Sequence, residues 1–409
     1  ELTLLQGRSY PFMASVLNGA GNTGVSWNAL LSGGTFSNGL LTAGSTAGVY
    51  QVQATSLADS QASALGSLNV ISQPYLETFG FGRSTANTHV GASAVTLLDG
   101  TVLVMGGSSI LNDSFDPQAN AGQGSLTAVG NLAVNRYLHT ATLLPNGKVL
   151  IAGGYTMVSP YGAVATVEIY DPVTGSCTAG TSMPSSRAYH TATLLRDGRV
   201  LLVGGTDSSY NDLASALLYN PTDGTFTPTT GSLTTKRAYH TATLLMDGRV
   251  LIAGGTGNYS SLSTTEIFDP ATGIFSAGPA MASVRSGHTA TLLGDGRIVF
   301  AFGGKATVEV MDVATATSTL VGSAQGAITY HSATLMSDGR VALIGGQAGN
   351  AMAKWVHVFD PTLNALSLLP NGLVFGRGKH VSCLLPDGRV LVVGGAGDNG
   401  NLVFAELMK

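Results

Sequence analysis

The chain repeats one sequence pattern seven times. RAYHTATLLRDGRVLLVGG spans residues 187–205, and the nearly identical RAYHTATLLMDGRVLIAGG spans residues 237–255. Each copy ends in a glycine pair: Gly106–Gly107, Gly153–Gly154, Gly204–Gly205, Gly254–Gly255, Gly303–Gly304, Gly345–Gly346 and Gly394–Gly395. Six copies contain a histidine, at steps of 51, 50, 48, 43 and 49 residues: His139, His190, His240, His288, His331 and His380. In the first copy we predict Ser93 at the histidine position, with one residue missing before Asp99.

Each copy has the pattern of a four-stranded antiparallel sheet. HTATLL is a run of β-branched and aliphatic residues, which favours a buried strand. An Asp-Gly or Asn-Gly dipeptide follows, and both residues tolerate the positive φ of a hairpin turn. RVLLVGG is the returning strand, a third strand ends in motifs such as YDP or FDP, and a short fourth strand follows a glycine turn.

Seven such units, each of about 48 residues, predict an all-β fold, a seven-bladed β-propeller. Because of the glycine pair, the aromatic residue of YDP and the turn after it, residues 73–409 resemble kelch repeats, as in the central domain of galactose oxidase. Kelch repeats usually place a tryptophan on the fourth strand. This chain has smaller apolar residues there: Cys177, Phe226, Phe275 and Leu366.

Composition narrows the classes of function. Only 10% of the residues are charged and the net charge is −4, so we expect no nucleic-acid partner. No apolar run approaches the roughly 20 residues of a membrane helix, so we expect no transmembrane segment. The chain starts at Glu1 without a signal peptide, which we interpret as a mature or trimmed chain of a secreted or cell-surface protein of bacterial type.

Residues 1–72 have a different pattern, in which strand-like runs alternate with Gly, Asn and Ser turns. Trp27 lies within one run, and Tyr50 lies two residues before Val52. This segment resembles the bacterial Ig-like domains of surface proteins, which implies a small β-sandwich that acts as a spacer. The sequence therefore predicts two domains, an Ig-like module at 1–72 and a propeller at 73–409.

The two ends of the propeller are predicted to meet in one blade. The final segment NLVFAELMK provides a third strand without a fourth, whereas residues 75–82 form a strand-like run that belongs to no complete blade. We expect residues 75–82 to complete the last blade, because pairing the chain ends removes an open sheet edge.

Propeller topology places the loops on two faces. The Asp-Gly turns and the glycine turns after the third strand share a lower face and are predicted to be structural. The loops after the glycine pairs share the upper face with the segments that lead into the inner strands, and variable loops on a rigid scaffold commonly carry function. The loops of blades two to four are rich in tyrosine, Asp and Asn, which suits a protein or carbohydrate partner. The candidate ligand-binding residues are Tyr155, Tyr161, Asp207, Tyr210, Asn211, Asp212, Asn258 and Tyr259.

The repeated histidines have a structural interpretation. Side chains of the inner strand alternate between two faces that both pack on neighbouring blades, so we expect buried, hydrogen-bonded imidazoles. The recurring arginines are predicted to support the blade junctions: Arg136, Arg187, Arg237, Arg285 and Arg377.

The resemblance to galactose oxidase also implies an alternative function, that of a copper-dependent oxidase. In those copper-radical oxidases a Tyr-His pair on such a segment binds copper, and three pairs match here: Tyr189–His190, Tyr239–His240 and Tyr330–His331. The family also has a cysteine crosslinked to a tyrosine, and the slots for that cysteine hold other residues here: Leu138, Tyr189, Tyr239, Gly287, Tyr330 and Lys379.

We therefore expect a binding or adhesion protein without catalytic residues or a cofactor, and a copper oxidase or other propeller enzyme is the alternative. Loops such as GGAGDNGN supply the oxygen atoms that calcium prefers, but their spacing matches no known ligand set.

Overall fold

The computed structural model describes residues 88–408 with gaps at 123, 159 and 160, together with strand backbone within residues 1–87. Seven four-stranded antiparallel sheets make up the repeat region, which confirms the all-β, seven-bladed propeller. In each sheet the strands pair in the order inner, second, third and outer.

The strands of the seven blades have the following bounds, from inner to outer. Blades 1 to 4 comprise Ser93–Thr96, Val102–Met105, Asn112–Asp116 and Ser125–Val129; Thr140–Leu143, Val149–Ala152, Val167–Asp171 and Ser176–Ala179; Thr191–Leu194, Val200–Val203, Ala216–Asn220 and Thr225–Pro228; Thr241–Leu244, Val250–Ala253, Thr265–Asp269 and Ile274–Ala277. Blades 5 to 7 comprise Thr289–Leu292, Ile298–Ala301, Lys305–Asp312 and Thr317–Ile328; Ser332–Leu335, Val341–Ile344, Val356–Asp360 and Ala365–Leu368; Val381–Leu384, Val390–Val393, Phe404–Met408 and Phe79–Ser84.

The hydrophobic core lies between the blades. The second strands are buried along their whole length because a neighbouring blade covers each of their two faces. Leu201 and Val203 of blade 3, for example, share one apolar cluster with Val250 and Ile252 of blade 4. Continuous apolar runs such as VLLV are the sequence pattern of strands buried on both faces.

Blade 5 has the longest strands of the propeller. Its third strand starts at Lys305, directly after the glycine pair, and its outer strand continues to Ile328. The chain therefore has almost no loop on the upper face of this blade. Four other blades carry a small hairpin on that face: Tyr155–Thr156 with Gly162–Ala163, Thr256–Gly257 with Ser260–Ser261, Gln347–Ala348 with Ala351–Met352, and Ala396–Gly397 with Gly400–Asn401.

The ring closes between blades 7 and 1, whose inner strands are in contact. The outer strand of blade 7 is Phe79–Ser84, which pairs antiparallel with Phe404–Met408 and places Phe79 opposite Met408. Two segments distant in sequence thus share one sheet. The division of the chain at residues 72 and 73 stays a prediction.

Strand backbone within residues 1–71 forms two sheets. One contains Leu2–Leu5, Ser63–Ile71, Gly48–Ser56 and Val25–Leu30 in that order, and the other contains Ser9–Pro11, Leu40–Ala43 and Gly34–Ser37. The Ig-like sandwich predicted for residues 1–72 falls largely outside the described residues and stays a prediction. Among the described residues the helix is Ala119–Gly122, and none of them forms a helix long and apolar enough to cross a membrane.

The prediction for the first copy was wrong by one residue. Ser93 pairs with Met105, just as Thr191 pairs with Val203 in blade 3, so Ser93 occupies the position that follows the histidine. Ala92 therefore stands in the histidine position and no residue is missing before Asp99. Ser93 shares only its polarity with the histidines, and its hydroxyl group corresponds to that of the Thr or Ser that follows the histidine in blades 2 to 6.

Candidate functional site

Seven residues surround the upper mouth of the central channel, one before the inner strand of each blade. This mouth ring consists of Gly91, Leu138, Tyr189, Tyr239, Gly287, Tyr330 and Lys379. All seven have positive φ, between 54° and 69°. The N–H of one ring residue donates to the carbonyl of the residue before it around the ring at six junctions, for example from Leu138 to Gly91 at 2.9 Å and from Gly91 to Lys379 at 2.9 Å.

The mouth ring opens into a cavity of about 300 Å³. Aromatic side chains dominate one side of it. The ring centroids of Tyr189 and Tyr239 lie 3.8 Å apart. Burial raises the pKa of Tyr189, and the neighbouring Tyr239 hydroxyl adds to this shift. On the other side, the Lys379 ammonium lies 4.6 Å from the Tyr330 ring centroid, in a cation–π contact.

The repeated histidines form a buried layer below the mouth ring. In five blades Nε2 shares a hydrogen bond with a hydroxyl group of the preceding blade, as between His240 and Thr191 at 3.0 Å and between His380 and Ser332 at 2.8 Å. Desolvation and a nearby arginine lower the pKa of His240 to about 3. The imidazoles are therefore neutral, and the prediction of buried, hydrogen-bonded histidines is confirmed for these five blades.

His139 is the exception in this layer. Neither of its ring nitrogens has a hydrogen-bond partner. The residue of blade 1 that could supply a hydroxyl is Ser93, but its Oγ donates to the backbone carbonyl of His139 at 2.9 Å. Burial lowers the pKa of His139 to about 3, so this imidazole is neutral as well.

The glycine pairs are required by the close approach of two blades. A Cβ on Gly153 would collide with the carbonyl oxygen of Arg187 and would lie 2.9 Å from Cε1 of His190, both in the next blade. A Cβ on Gly154 would lie 2.8 Å from Cβ of His139 in its own blade. Both glycines also have positive φ, which glycine adopts without the steric cost of a side chain.

The recurring arginines hold the incoming loop to its own blade, a more specific role than the predicted support of blade junctions. Arg237 donates to the carbonyl of Gly254 at 2.9 Å and to Glu266 at 2.8 Å. The second oxygen of Glu266 accepts the N–H of Thr234 in the loop at 2.8 Å. Sequence reasoning missed the glutamates that complete this clamp: Glu168, Glu266, Glu309 and Glu406.

Three blades depart from this clamp. In blade 1, His89 replaces the arginine and contacts Asp113 at 2.8 Å and the carbonyl of Gly106 at 3.0 Å. In blade 3, Leu217 occupies the glutamate position, and Arg187 donates instead to the hydroxyl of Ser215 at 3.2 Å. Burial lowers the pKa of Arg187 to about 10. In blade 6, Ile328 and His357 replace the arginine and the glutamate.

The structure connects part of the predicted loop patch. Tyr155 is buried, stacks on Tyr210 at 5.6 Å between ring centroids, and shares a hydrogen bond with Thr206 at 3.2 Å. Asp212 of the blade 3 loop lies near the backbone of Asn258 in the blade 4 loop, and burial raises the pKa of its carboxyl group.

Other residues of the patch serve the loops themselves or face solvent. The Asp207 carboxylate accepts the backbone N–H of Asn211 at 2.9 Å and its side-chain amide at 3.0 Å, so this pair shapes the loop of blade 3. Tyr161, Tyr210 and Tyr259 are 73%, 65% and 96% exposed. The assignment of these residues to ligand binding stays a prediction.

The donors near the mouth do not fit the copper set of the galactose oxidase family. The Nε2 atoms of His190, His240 and His331 bind hydroxyl groups of three different blades and do not converge. Cys383 is on an inner strand, where burial raises its pKa to about 12. Among the described residues no three His, Cys, Asp or Glu side chains are grouped to hold a metal ion.

The loop considered for calcium has a different use for its carboxylate. Asp398, in the GGAGDNGN loop of blade 7, accepts the N–H of Met352 in blade 6 at 2.7 Å. This contact connects two neighbouring loops on the upper face, and the calcium site stays a hypothesis.

Fold and site together define the class as a seven-bladed β-propeller whose blades are joined by glycine pairs and whose channel opens on one face. A family model described as the KLHDC2/KLHL20/DRC7 Kelch-repeats domain matches residues 91–304, just over half of the 409 residues. The chain therefore belongs to the Kelch-repeat family.

Two solved structures show the same fold. A fungal alcohol oxidase of the AA5 family, in complex with copper, is 15% identical with a TM-score of 0.67 over 82% of this chain and 76% of that chain. YjhT is 13% identical with a TM-score of 0.55 over 80% of this chain and 96% of that chain. A search of curated proteins found no match to this sequence. At these identities the similarity concerns the fold alone.

Proposed function

We propose that this chain is a secreted or cell-surface binding protein that recognises a protein or carbohydrate partner through the upper face of its propeller. The contact surface consists of the mouth ring and the tyrosine-bearing loops of blades 2 to 4. The main support for this proposal is that tyrosines on this face occupy backbone positions where a side chain is costly.

The argument rests on comparing equivalent positions. Gly91 and Gly287 adopt the ring conformation without strain, whereas Tyr189, Tyr239 and Tyr330 adopt it as non-glycine residues. A left-handed conformation costs an L-residue roughly 1–2 kcal/mol. Folding alone would favour glycine at all seven positions, so the tyrosines are better explained by what their side chains contact.

The same cost recurs in the loops. Tyr210 and Tyr259 both have φ of 64°, and their side chains are exposed. Tyrosine presents a large apolar ring with a polar hydroxyl and loses little conformational entropy on binding. Exposed and strained tyrosines are therefore suited to contact a sugar ring or a protein hot spot.

The lower face has the opposite character. Its charged side chains mostly pair with each other or with backbone, as Arg297 does with Asp295 and with the carbonyl of Pro361 in the next blade. Arg389 likewise donates to the carbonyl of Pro117. These side chains are occupied in joining blades, which leaves the upper face as the surface with free aromatic area.

The test separates binding from folding. A Tyr239→Gly, Tyr330→Gly double variant and a Tyr161→Ala, Tyr210→Ala, Tyr259→Ala triple variant are compared with wild type on a glycan array and against purified candidate partners. The glycine variant should keep or raise the melting temperature because it relieves backbone strain, yet it should lose binding. Asp223→Ala on the lower face is the control and should bind normally. A ligand that binds both tyrosine variants as tightly as wild type would refute the proposal.

A further inference from the structure

Tyr189 and Tyr239 are in unusually close contact. Aromatic pairs in proteins usually have ring centroids about 4.5–7 Å apart, whereas these two rings are separated by 3.8 Å with an interplanar angle of 31°. Each hydroxyl group affects the pKa of the other. At this separation the carbon atoms of the two phenol rings are in van der Waals contact.

A chain of tyrosine rings connects this pair with solvent. Tyr155 lies 5.6 Å from Tyr189 and 5.6 Å from Tyr210, between ring centroids, and the Tyr210 side chain is 65% exposed. Both rings of the pair also line the open cavity of the channel mouth. An oxidant in solvent can thus take electrons from the pair directly at the cavity or through Tyr155.

We propose that Tyr189 and Tyr239 form an oxidative modification site, at which a one-electron oxidant joins the two side chains into dityrosine. Each phenol gives up one electron and one proton, and the two tyrosyl radicals form a carbon–carbon bond between ortho carbons. The hydrogen on each coupled carbon then moves to the phenol oxygen. The net loss is two electrons and two protons, and an oxidant such as a peroxidase intermediate accepts the electrons in two single steps.

The new bond would join blade 3 to blade 4 at the channel mouth. It would connect residues 50 positions apart in sequence and fix two members of the mouth ring. Such a crosslink restricts the unfolded chain, so the crosslinked form should have a higher melting temperature than the untreated protein.

The experiment is oxidation of the dilute protein with a photoactivated ruthenium tris-bipyridyl complex and persulfate, followed by trypsin. Tyr189 lies in the tryptic peptide 188–196 and Tyr239 in the peptide 238–249. We expect a monomeric product with dityrosine fluorescence, and a crosslinked pair of these peptides that has lost two hydrogen atoms. This pair should be the most abundant intramolecular crosslink.

Three variants give the controls. Tyr239→Phe and Tyr189→Phe should each abolish this peptide pair while the melting temperature shows that the fold is kept. Tyr330→Phe, at an equivalent ring position between Gly287 and Lys379, should leave it intact. Either of two results would overturn the proposal: no crosslink between the two peptides, or a crosslink whose yield Tyr239→Phe does not change.

Discussion

Acidification should unfold this propeller over a pH range that its buried histidines determine. Burial lowers the pKa of five histidines of the buried layer from 6.5 to about 3, namely His139, His240, His288, His331 and His380. The pKa of His190 is also held well below 6.5. The native state therefore stays unprotonated at these six sites, whereas the unfolded chain takes up protons below pH 6.5. The stabilisation is complete above pH 6.5 and is lost as the pH falls toward 3.

The magnitude follows from the number of sites. For one such histidine, the free energy of unfolding falls by about 1.4 kcal/mol with each pH unit below about 6.5. At about pH 5 one site has therefore lowered it by about 2 kcal/mol. Six sites cost up to about 12 kcal/mol, which is comparable with the whole stability of a typical domain, about 5–15 kcal/mol. Carboxylates with lowered pKa values, such as Asp247, start from 3.8 and act only at lower pH. The loss between about pH 6.5 and pH 5 is thus specific to histidine.

Chemical denaturation at a series of pH values measures this effect, because the slope of the unfolding free energy against pH gives the number of protons taken up on unfolding. A matched pair of variants assigns it. His139→Leu removes an imidazole that has no hydrogen-bond partner, so it should reduce proton uptake by one without loss of stability at pH 7.5. His240→Leu should reduce uptake equally but cost about 1 kcal/mol at pH 7.5, because the Thr191 hydroxyl loses its partner. An unfolding free energy that stays constant from pH 7 to pH 5 would refute the reasoning.

Two further predictions concern the backbone. Gly153→Ala should destabilise the protein far more than Gly175→Ala as measured by thermal melting, because a Cβ on Gly153 meets Arg187 and His190 whereas the one on Gly175 meets nothing within 4 Å. Deletion of residues 1–70 should leave the propeller stable. Deletion of residues 1–84 should lower its melting temperature sharply, because it removes the strand paired with Phe404–Met408. Equal melting temperatures of the two truncations would contradict the shared last blade.

The features that repeat were predictable from the sequence. A residue that recurs at the same place in most or all blades must satisfy the same local geometry each time, so the glycine pairs and histidines could be assigned structural roles in advance. The glutamates of the clamp could have been found in the same way, because Glu168 and Glu266 occupy the same position of VEIYD and TEIFD. Their partner arginines are about thirty residues away, and only the folded blade shows that the two meet.

The mouth ring was harder to predict. Nothing in Leu138, Tyr189 or Lys379 indicates positive φ, because these residues avoid it when neighbours impose no constraint. The available signal was Gly91 and Gly287, which stand at the equivalent positions of two other blades. The contact between Tyr189 and Tyr239 depends on the conformation of both residues in adjacent blades, so no single repeat contains the information.

The contrast between the two layers of the channel explains where function can reside. In the histidine layer six of the seven blades repeat the side chain as well as the backbone, and five of the imidazoles fit between a glycine pair and a hydroxyl group. In the mouth ring the backbone repeats, but the side chain changes from glycine to leucine, tyrosine or lysine. Folding therefore fixes the geometry there without fixing the chemistry. Tyr239 of this pair lies beside Gly287 of blade 5, which has almost no loop above it. For the proposed binding function, a partner would reach the paired tyrosines over blade 5, where neither a mouth-ring side chain nor a loop obstructs it.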